Sequence, residues 1–354
     1  MSMTIDDMRR HDARGMFDLV KAFPAHWREG RQLALDAELD IDVNNFSQLL
    51  VIGMGGSAIS GDLVRCYGYD QSPIPISVIR NYVLPASVNE RTLVVASSFS
   101  GNTEETLNGF NAALEAGATV ICVASGGTLL EEAQNRGLAH VKIPGGMPPR
   151  AALGYSLSVL MTLMDRIGVV EAPEEAWEES CTLLDAQTEA LALPGEDNKA
   201  QDIARSLKGL FPFVYSATGL LEAVNMRWRG QFQENAKLLA VGNVFPELNH
   251  NEIMGWESHN GHGIHGSLGV IVLRDGDDHG RIQHRIDVTR SLLEKKAGRW
   301  IEVDSEGTHR LTRMVSLINL GDWVSLYAAA LRGVDPTPIA LIDRLKEALA
   351  ELQD

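Results

Sequence analysis

Short apolar runs recur along this chain, and segments of helical spacing separate them. The first is LLVIGM at 49–54; runs at 76–81, 92–98, 119–125 and 140–144 follow. Between them, about 58–67, 103–116 and 129–135, apolar residues fall at helical intervals. Runs that are apolar throughout belong to strands covered on both faces, and strands alternating with helices pair in parallel. Their crossovers are right-handed. Two long helical stretches come next, near 151–167 and 173–191, then a turn or linker around Pro194 and Gly195. The alternation resumes with strands at 211–217, 268–274 and 299–303, separated by helices near 220–237 and 281–297. Helices near 310–331 and 338–352 close the chain. The spacing predicts two copies of one α/β layout without a residue-level repeat. A length of 354 residues agrees with two domains. The division falls at 1–165, an N-terminal helical segment plus the first sheet, and 166–354, the second sheet with the C-terminal helices.

Charge and cysteine usage exclude several classes of function. Lys and Arg number 31 against 47 Asp and Glu, a net charge of −16. Nucleic-acid binding needs a basic face that releases counterions from phosphate, so no nucleic-acid partner is expected. A pocket can still be locally positive and take a small anion. Cys66, Cys122 and Cys181 form neither a CxxC pair nor an even framework, which argues against a disulfide scaffold or a cysteine zinc site. Their spread fits a reducing cytoplasm, the expected location. The first fifteen residues lack the apolar core of a signal peptide. No run approaches ~20 apolar residues, so no membrane contact is expected.

Two loops carry the chemistry of the first half. The first strand leads into GMGGSAISGD at 53–62. Glycines there let backbone N–H groups approach a ligand, and the next helix aims its N-terminus at the loop. Gly53, Gly55 and Ala58 satisfy GxGxxA, a variant of the dinucleotide fingerprint. The second strand, however, ends in Arg80 and Asn81 instead of the acidic residue that holds a ribose, and no Gly-Lys-Ser/Thr follows. An NADP enzyme using Arg80 and a purely structural turn are the alternatives. The third strand leads into SSFSGNTEET at 97–106, where Ser98, Ser100 and Thr103 place three hydroxyls around one turn. A phosphate needs converging donors, which hydroxyls and amides at a helix start supply; simple capping asks for the same residues. Sheets of this type bind ligands beyond the carboxyl ends of their strands. The expected phosphate site is therefore Gly55, Gly56 and Ser57 in one loop with Ser98, Ser100 and Thr103 in the other.

GMGGSAISGD followed by SFSGNTEET resembles the first sugar-isomerase (SIS) domain of the bifunctional phosphoglucose/phosphomannose isomerase family. PPRAALGY (148–155), FQENAK (232–237), PELNHNE (246–252) and IDRLK (342–346) match in the same order. The resemblance implies two SIS domains, each a doubly wound five-stranded parallel sheet flanked by helices, and a homodimer with shared active sites. It implies reversible isomerisation of glucose 6-phosphate, and of mannose 6-phosphate, to fructose 6-phosphate without a cofactor or metal. Glu234 matches the family's base, which moves a proton between C2 and C1 through an enediol; by pattern alone it is a surface Glu paired with Lys237. His250 matches a histidine that opens the ring and comes from the neighbouring subunit. Arg150 is placed to stabilise the enediolate, and Lys346 to reach the sugar. Thr337, in VDPTP, is the nearest counterpart of a threonine that favours the mannose epimer.

His259, His262 and His265 fall three apart in ESHNGHGIHG. A Gly-rich segment gives no helix or strand to aim three rings together, so a solvated loop is expected and no metal site. A non-catalytic phosphosugar sensor is the main competing class. Sensors of this kind carry a DNA-binding helix-turn-helix ahead of the domain, for which the ~45 acidic-leaning residues before the first strand are a poor match.

Overall fold

The expected apolar runs form strands, and the expected layers form around them. The structure is a computed structural model describing residues 3–257 and 263–351. Helices α1 (Ile5–Arg9), α2 (Met16–Lys21) and α3 (Phe23–Asp36) open the chain. The first sheet follows as β1 (Gln48–Ile52), α4 (Gly55–Tyr67), β2 (Ile76–Ile79), β3 (Thr92–Ser98), α5 (Glu104–Glu115), β4 (Thr119–Ala124), α6 (Gly127–Asn135) and β5 (His140–Lys142). Helices α7 (Leu153–Arg166), α8 (Glu174–Ala192) and α9 (Lys199–Ser206) lead to the second. That sheet is β6 (Phe211–Ala217), α10 (Glu222–Glu234), β7 (Val241–Phe245), β8 (Leu268–Arg274), α11 (Gly280–Leu293) and β9 (Arg299–Asp304). The chain ends in α12 (Arg310–Arg332) and α13 (Ala340–Ala350).

All pairings are parallel, in the orders β2-β1-β3-β4-β5 and β7-β6-β8-β9. Every residue of β3 is buried, as a central strand with covered faces requires. β1 and β3 are neighbours, with Leu49–Ile52 opposite Leu93–Ala96, so the two glycine- and hydroxyl-bearing loops leave the sheet side by side. The second sheet corrects an expectation: it has four strands among the described residues, not five. It also contains β7, which the sequence does not announce. VGNVF carries Gly242 and Asn243, poor strand formers, and an edge strand with one exposed side lacks the continuous apolar run of a central one. Residues 193–198 form the turn expected around Pro194 and Gly195, and α9 follows it; Asn198 caps α9 by accepting from the Gln201 N–H, and Ala200, Ile203 and Ala204 are buried.

α12 is the spine of the molecule. Its most apolar window reaches a mean hydropathy of 1.3, enough by length and composition to cross a membrane, yet 89% of that window is buried in the core. It packs against α8, α9 and α10. The Trp228 indole of α10 donates to the Leu317 carbonyl at 2.8 Å, which satisfies a polar atom that would otherwise be costly to bury. One continuous apolar cluster runs through both sheets and holds their relative placement.

Candidate active site

Arg150 is where distant segments of the chain meet. It lies in a tight helical turn, Pro149–Ala152, ahead of α7, and its side chain is 2% exposed. Its Nε donates to Asn235 Oδ1 at 2.7 Å and Nη1 to Glu234 Oε2 at 3.2 Å. Nη2 donates to the carbonyls of Pro336 (2.7 Å) and Thr337 (3.0 Å). A guanidinium has five N–H donors in a rigid fork, and four are committed here. One Nη1 N–H remains. Burial pushes the Arg150 pKa below its ordinary value, and the charge of Glu234 opposes that shift.

A second buried pair supports this hub. Arg227 Nη2 donates to the Arg150 carbonyl at 2.7 Å and pairs with Asp322 Oδ2 at 2.9 Å, while Gln231 donates to Asp322 Oδ1 at 2.8 Å. Asp322 is buried, which pushes its carboxyl up; the Arg227 charge and hydrogen bond pull the other way. Asn235 in turn donates to Ser325 Oγ at 2.9 Å. A buried ion pair is tolerated when its charged oxygens are satisfied, and both Asp322 oxygens accept from α10, from Arg227 and Gln231. Glu234 is the last residue of α10, so the ladder fixes its backbone while its carboxylate stays 36% exposed at the pocket mouth.

A cavity of about 240 Å³ opens between the N-terminus of α4 and α10, lined in part by Gly55, Gly56, Arg80, Arg229, Gln233 and Glu234. A side chain at Gly56 would bring its Cβ to 2.9 Å from the Pro149 carbonyl, so only glycine lets α4 start against the Arg150 turn. Arg80 is paired with Asp62, and Arg227 with Asp322. Arg229 has no ion pair among the described residues; its buried Nε lacks a partner, and burial lowers its pKa. Nothing in the sequence singles out Arg229, Arg227 or Asp322. Asn235 lies inside FQENAK and could have been found there, as the polar neighbour of a candidate base.

The C-terminal part of the chain, residues 196–349, matches the family model for the bacterial phospho-glucose isomerase C-terminal SIS domain. The chain is 40% identical to the bifunctional phosphoglucose/phosphomannose isomerase of Caldicellulosiruptor bescii over 96% of its length and 100% of the relative's. It is 35% identical to the enzyme of that name from Aquifex aeolicus, covering 87% of this chain and 92% of the other. This chain belongs to the bifunctional phosphoglucose/phosphomannose isomerase family. Among solved structures, the hypothetical protein TT0462 of Thermus thermophilus shares the fold, with a TM-score of 0.75, 15% identity, and coverage of 98% of this chain and 95% of that one.

The residues expected from the family motifs fall into two groups. Arg150, Glu234 and Thr337 come together although they are far apart in sequence. Thr337 is buried and its hydroxyl has no partner among the described residues, while its carbonyl accepts from Arg150. Lys237 does not form the surface pair with the Glu234 carboxylate that helical spacing suggests; its ammonium donates to the Glu234 and Pro336 carbonyls instead. The two loops expected to hold a phosphate also meet: the Phe99 N–H donates to Ser57 Oγ at 3.0 Å, and Ser98 Oγ lies 2.9 Å from Thr103 Oγ1. Ser100 is exposed at the tip, its Oγ accepting from the Asn102 N–H. Gly101 sits at φ +72° with the Gly126 carbonyl 1.8 Å from where a Cβ would lie, so the turn admits no other residue.

His250 and Lys346 form the second group. His250 is exposed at the end of a short turn after β7 and is absent from the residues lining the cavity. Lys346 is exposed on α13, whose described side chains all face solvent. Within one chain, neither is brought to Glu234. His259 and His262 lie outside the described residues. His265 stacks on Trp256 and its Nε2 lies 3.0 Å from the Gly255 carbonyl. Among the described residues no group of three metal-ligating side chains occurs.

Proposed function

We propose that this protein interconverts glucose 6-phosphate, and mannose 6-phosphate, with fructose 6-phosphate through an enediol. The single observation that carries the proposal is the convergence of Glu234, Asn235 and Thr337 on the Arg150 guanidinium beside the Gly55–Gly56 loop. An aldose–ketose isomerase requires a base over C1 and C2, and a half-exposed carboxylate held by a buried cation is such a base.

In the reaction, Gly55, Gly56, Ser57, Ser98, Ser100 and Thr103 hold the substrate phosphate through amides and hydroxyls. His250 of the partner subunit and Lys346 open the ring. Glu234 takes the proton from C2, and the electron pair shifts to make the C1–C2 double bond and charge on O1. Protonation of O1, return of the Glu234 proton to C1 and loss of the O2 proton give the ketose. Arg150 acts mainly by fixing Glu234 and Thr337, and its one uncommitted N–H faces the developing charge. Thr337 carries a buried hydroxyl without a protein partner, suited to hold a water beside the substrate and so govern the epimer. No step calls on a metal or redox group. The homodimer and a cytoplasmic setting are part of the proposal.

The test is to incubate purified protein with each aldose phosphate in the presence of a chelator and measure fructose 6-phosphate. Formation from both substrates is the expected result. No product from either would overturn the assignment.

A further inference from the structure

Among the described residues, Arg229 is the cation of the cavity wall without a carboxylate partner. Arg80 is paired with Asp62 and Arg227 with Asp322, and behind the wall Arg150 is paired with Glu234. The Arg229 Nε is buried with no acceptor from the described residues. A buried N–H of this kind lowers stability, so it calls for an acceptor from outside the chain. The stem of Arg229 runs close against β7, where a Cβ at Gly242 would stand 3.1 Å from its Cδ.

Gly230 shows where that acceptor would lie. It falls in the interior of α10, where glycine is a poor helix former, and its backbone does not need a positive φ. A Cβ at Gly230 would meet nothing within 4 Å, so packing does not require glycine there either. Arg229 and Glu234 are five positions apart on α10, about 7.5 Å along the axis and about 140° around it. Gly230 sits between them on the helix face that lines the cavity, and the Gly55–Gly56 loop lies on the other side. The space over Gly230 is thus open, with a carboxylate on one side and an unpaired guanidinium on the other.

We propose that the sugar lies over Gly230 and that Arg229 donates to the oxygen anion formed when Glu234 takes up the C2 proton. This rests on the isomerase reading and adds a residue to it. In that step the C2–H electron pair ends as negative charge on O1, and Glu234 becomes neutral. Arg150 keeps three of its N–H groups on Asn235, Pro336 and Thr337 throughout, so only its Nη1 hydrogens can follow the charge. Arg229 supplies fixed donors that no protein carboxylate competes for. No bond of Arg229 forms or breaks.

Turnover, substrate affinity and affinity for an anionic mimic test this. The mimic is an open-chain sugar-phosphate hydroxamate, whose planar anion has the charge of the enediolate. Arg229→Met keeps the stem; its turnover should fall ~10²–10³-fold, the usual effect of losing one fixed oxyanion donor, with KM within about threefold of wild type. Affinity for the hydroxamate, read by calorimetry, should fall by the same factor, and Arg229→Lys should recover part of both. The melting temperature of Arg229→Met should be unchanged or higher, since a buried unpaired donor is gone. Gly230→Ala should also raise the melting temperature, while its methyl group should raise KM at least about threefold. Near wild-type turnover of Arg229→Met, or a loss confined to KM, would overturn the role of Arg229. Unchanged KM in Gly230→Ala would overturn the placement of the sugar. A wild type that makes no fructose 6-phosphate would overturn the isomerase reading and this inference together. An active wild type beside an unimpaired Arg229→Met would overturn the inference alone.

Discussion

Glu234 and Arg150 illustrate how a residue's role depends on which of its polar atoms are already engaged. Arg150 has one N–H to offer a substrate, so its main effect is exerted through the carboxylate it holds. Glu234→Gln keeps the shape and loses the basic oxygen. Turnover should fall by at least ~10²–10⁴-fold, the usual contribution of a positioned base, with little change in KM. Product formed by the wild type in heavy water should carry deuterium at the transferred position, since a carboxylate proton exchanges with solvent. Near wild-type turnover of the Gln variant would remove Glu234 from the chemistry. Thr337→Val tests the buried hydroxyl. It should alter the ratio of turnover on the two aldose phosphates while leaving the melting temperature the same or higher, because a buried hydroxyl without a partner is itself unfavourable.

At the scale of the element, the loops after β1 and β3 act together because their strands are neighbours. Replacing Ser100 and Thr103 by Ala should weaken substrate binding by roughly 1–3 kcal/mol, read as a rise in KM, through loss of charge-assisted donors. Unchanged KM in the double variant would count against this phosphate site. The loop after β8 has a different character. Asp278 is half-buried there, and desolvation, aided by the charge of Asp275, pushes its carboxyl up to about 6. A carboxylic acid whose folded pKa lies above its unfolded value opposes folding once it ionises. Its cost is absent well below the ordinary value of 3.8, grows as pH rises between that value and about 6, and is fully present above. Asp278→Asn should therefore raise the melting temperature at pH 7.5, and the gain should shrink on acidification to pH 4. A gain that is equal at both values would show that ionisation of Asp278 is not the cause.

For the whole molecule, the proposed site is divided between subunits. Dimers of Glu234→Gln and dimers of His250→Ala should each be inactive. Mixed under conditions where subunits exchange, they should regain part of the wild-type activity, because one of the two pockets in a heterodimer receives both an intact Glu234 and an intact His250. A mixture that demonstrably exchanges and stays inactive would show that each chain supplies its own histidine.

What the sequence determined by itself were the local and periodic features. Continuous apolar runs specify covered parallel strands, because side-chain burial on both faces leaves no alternation to read. The loops at 53–62 and 97–106 were legible because close backbone approach and helix-start donors demand particular residues at particular spacings. β7 was not, since an edge strand with Gly242 and Asn243 owes its conformation to its pairing with β6 and not to its own composition. Nor was the commitment of Arg150 to Asn235, Glu234, Pro336 and Thr337, or the anchoring of α10 on Asp322. Those contacts join residues 84 to 187 positions apart. Only the packing of α12 between the two halves brings them within hydrogen-bond reach, and it is the low polarity of that core that makes each of their partners obligatory.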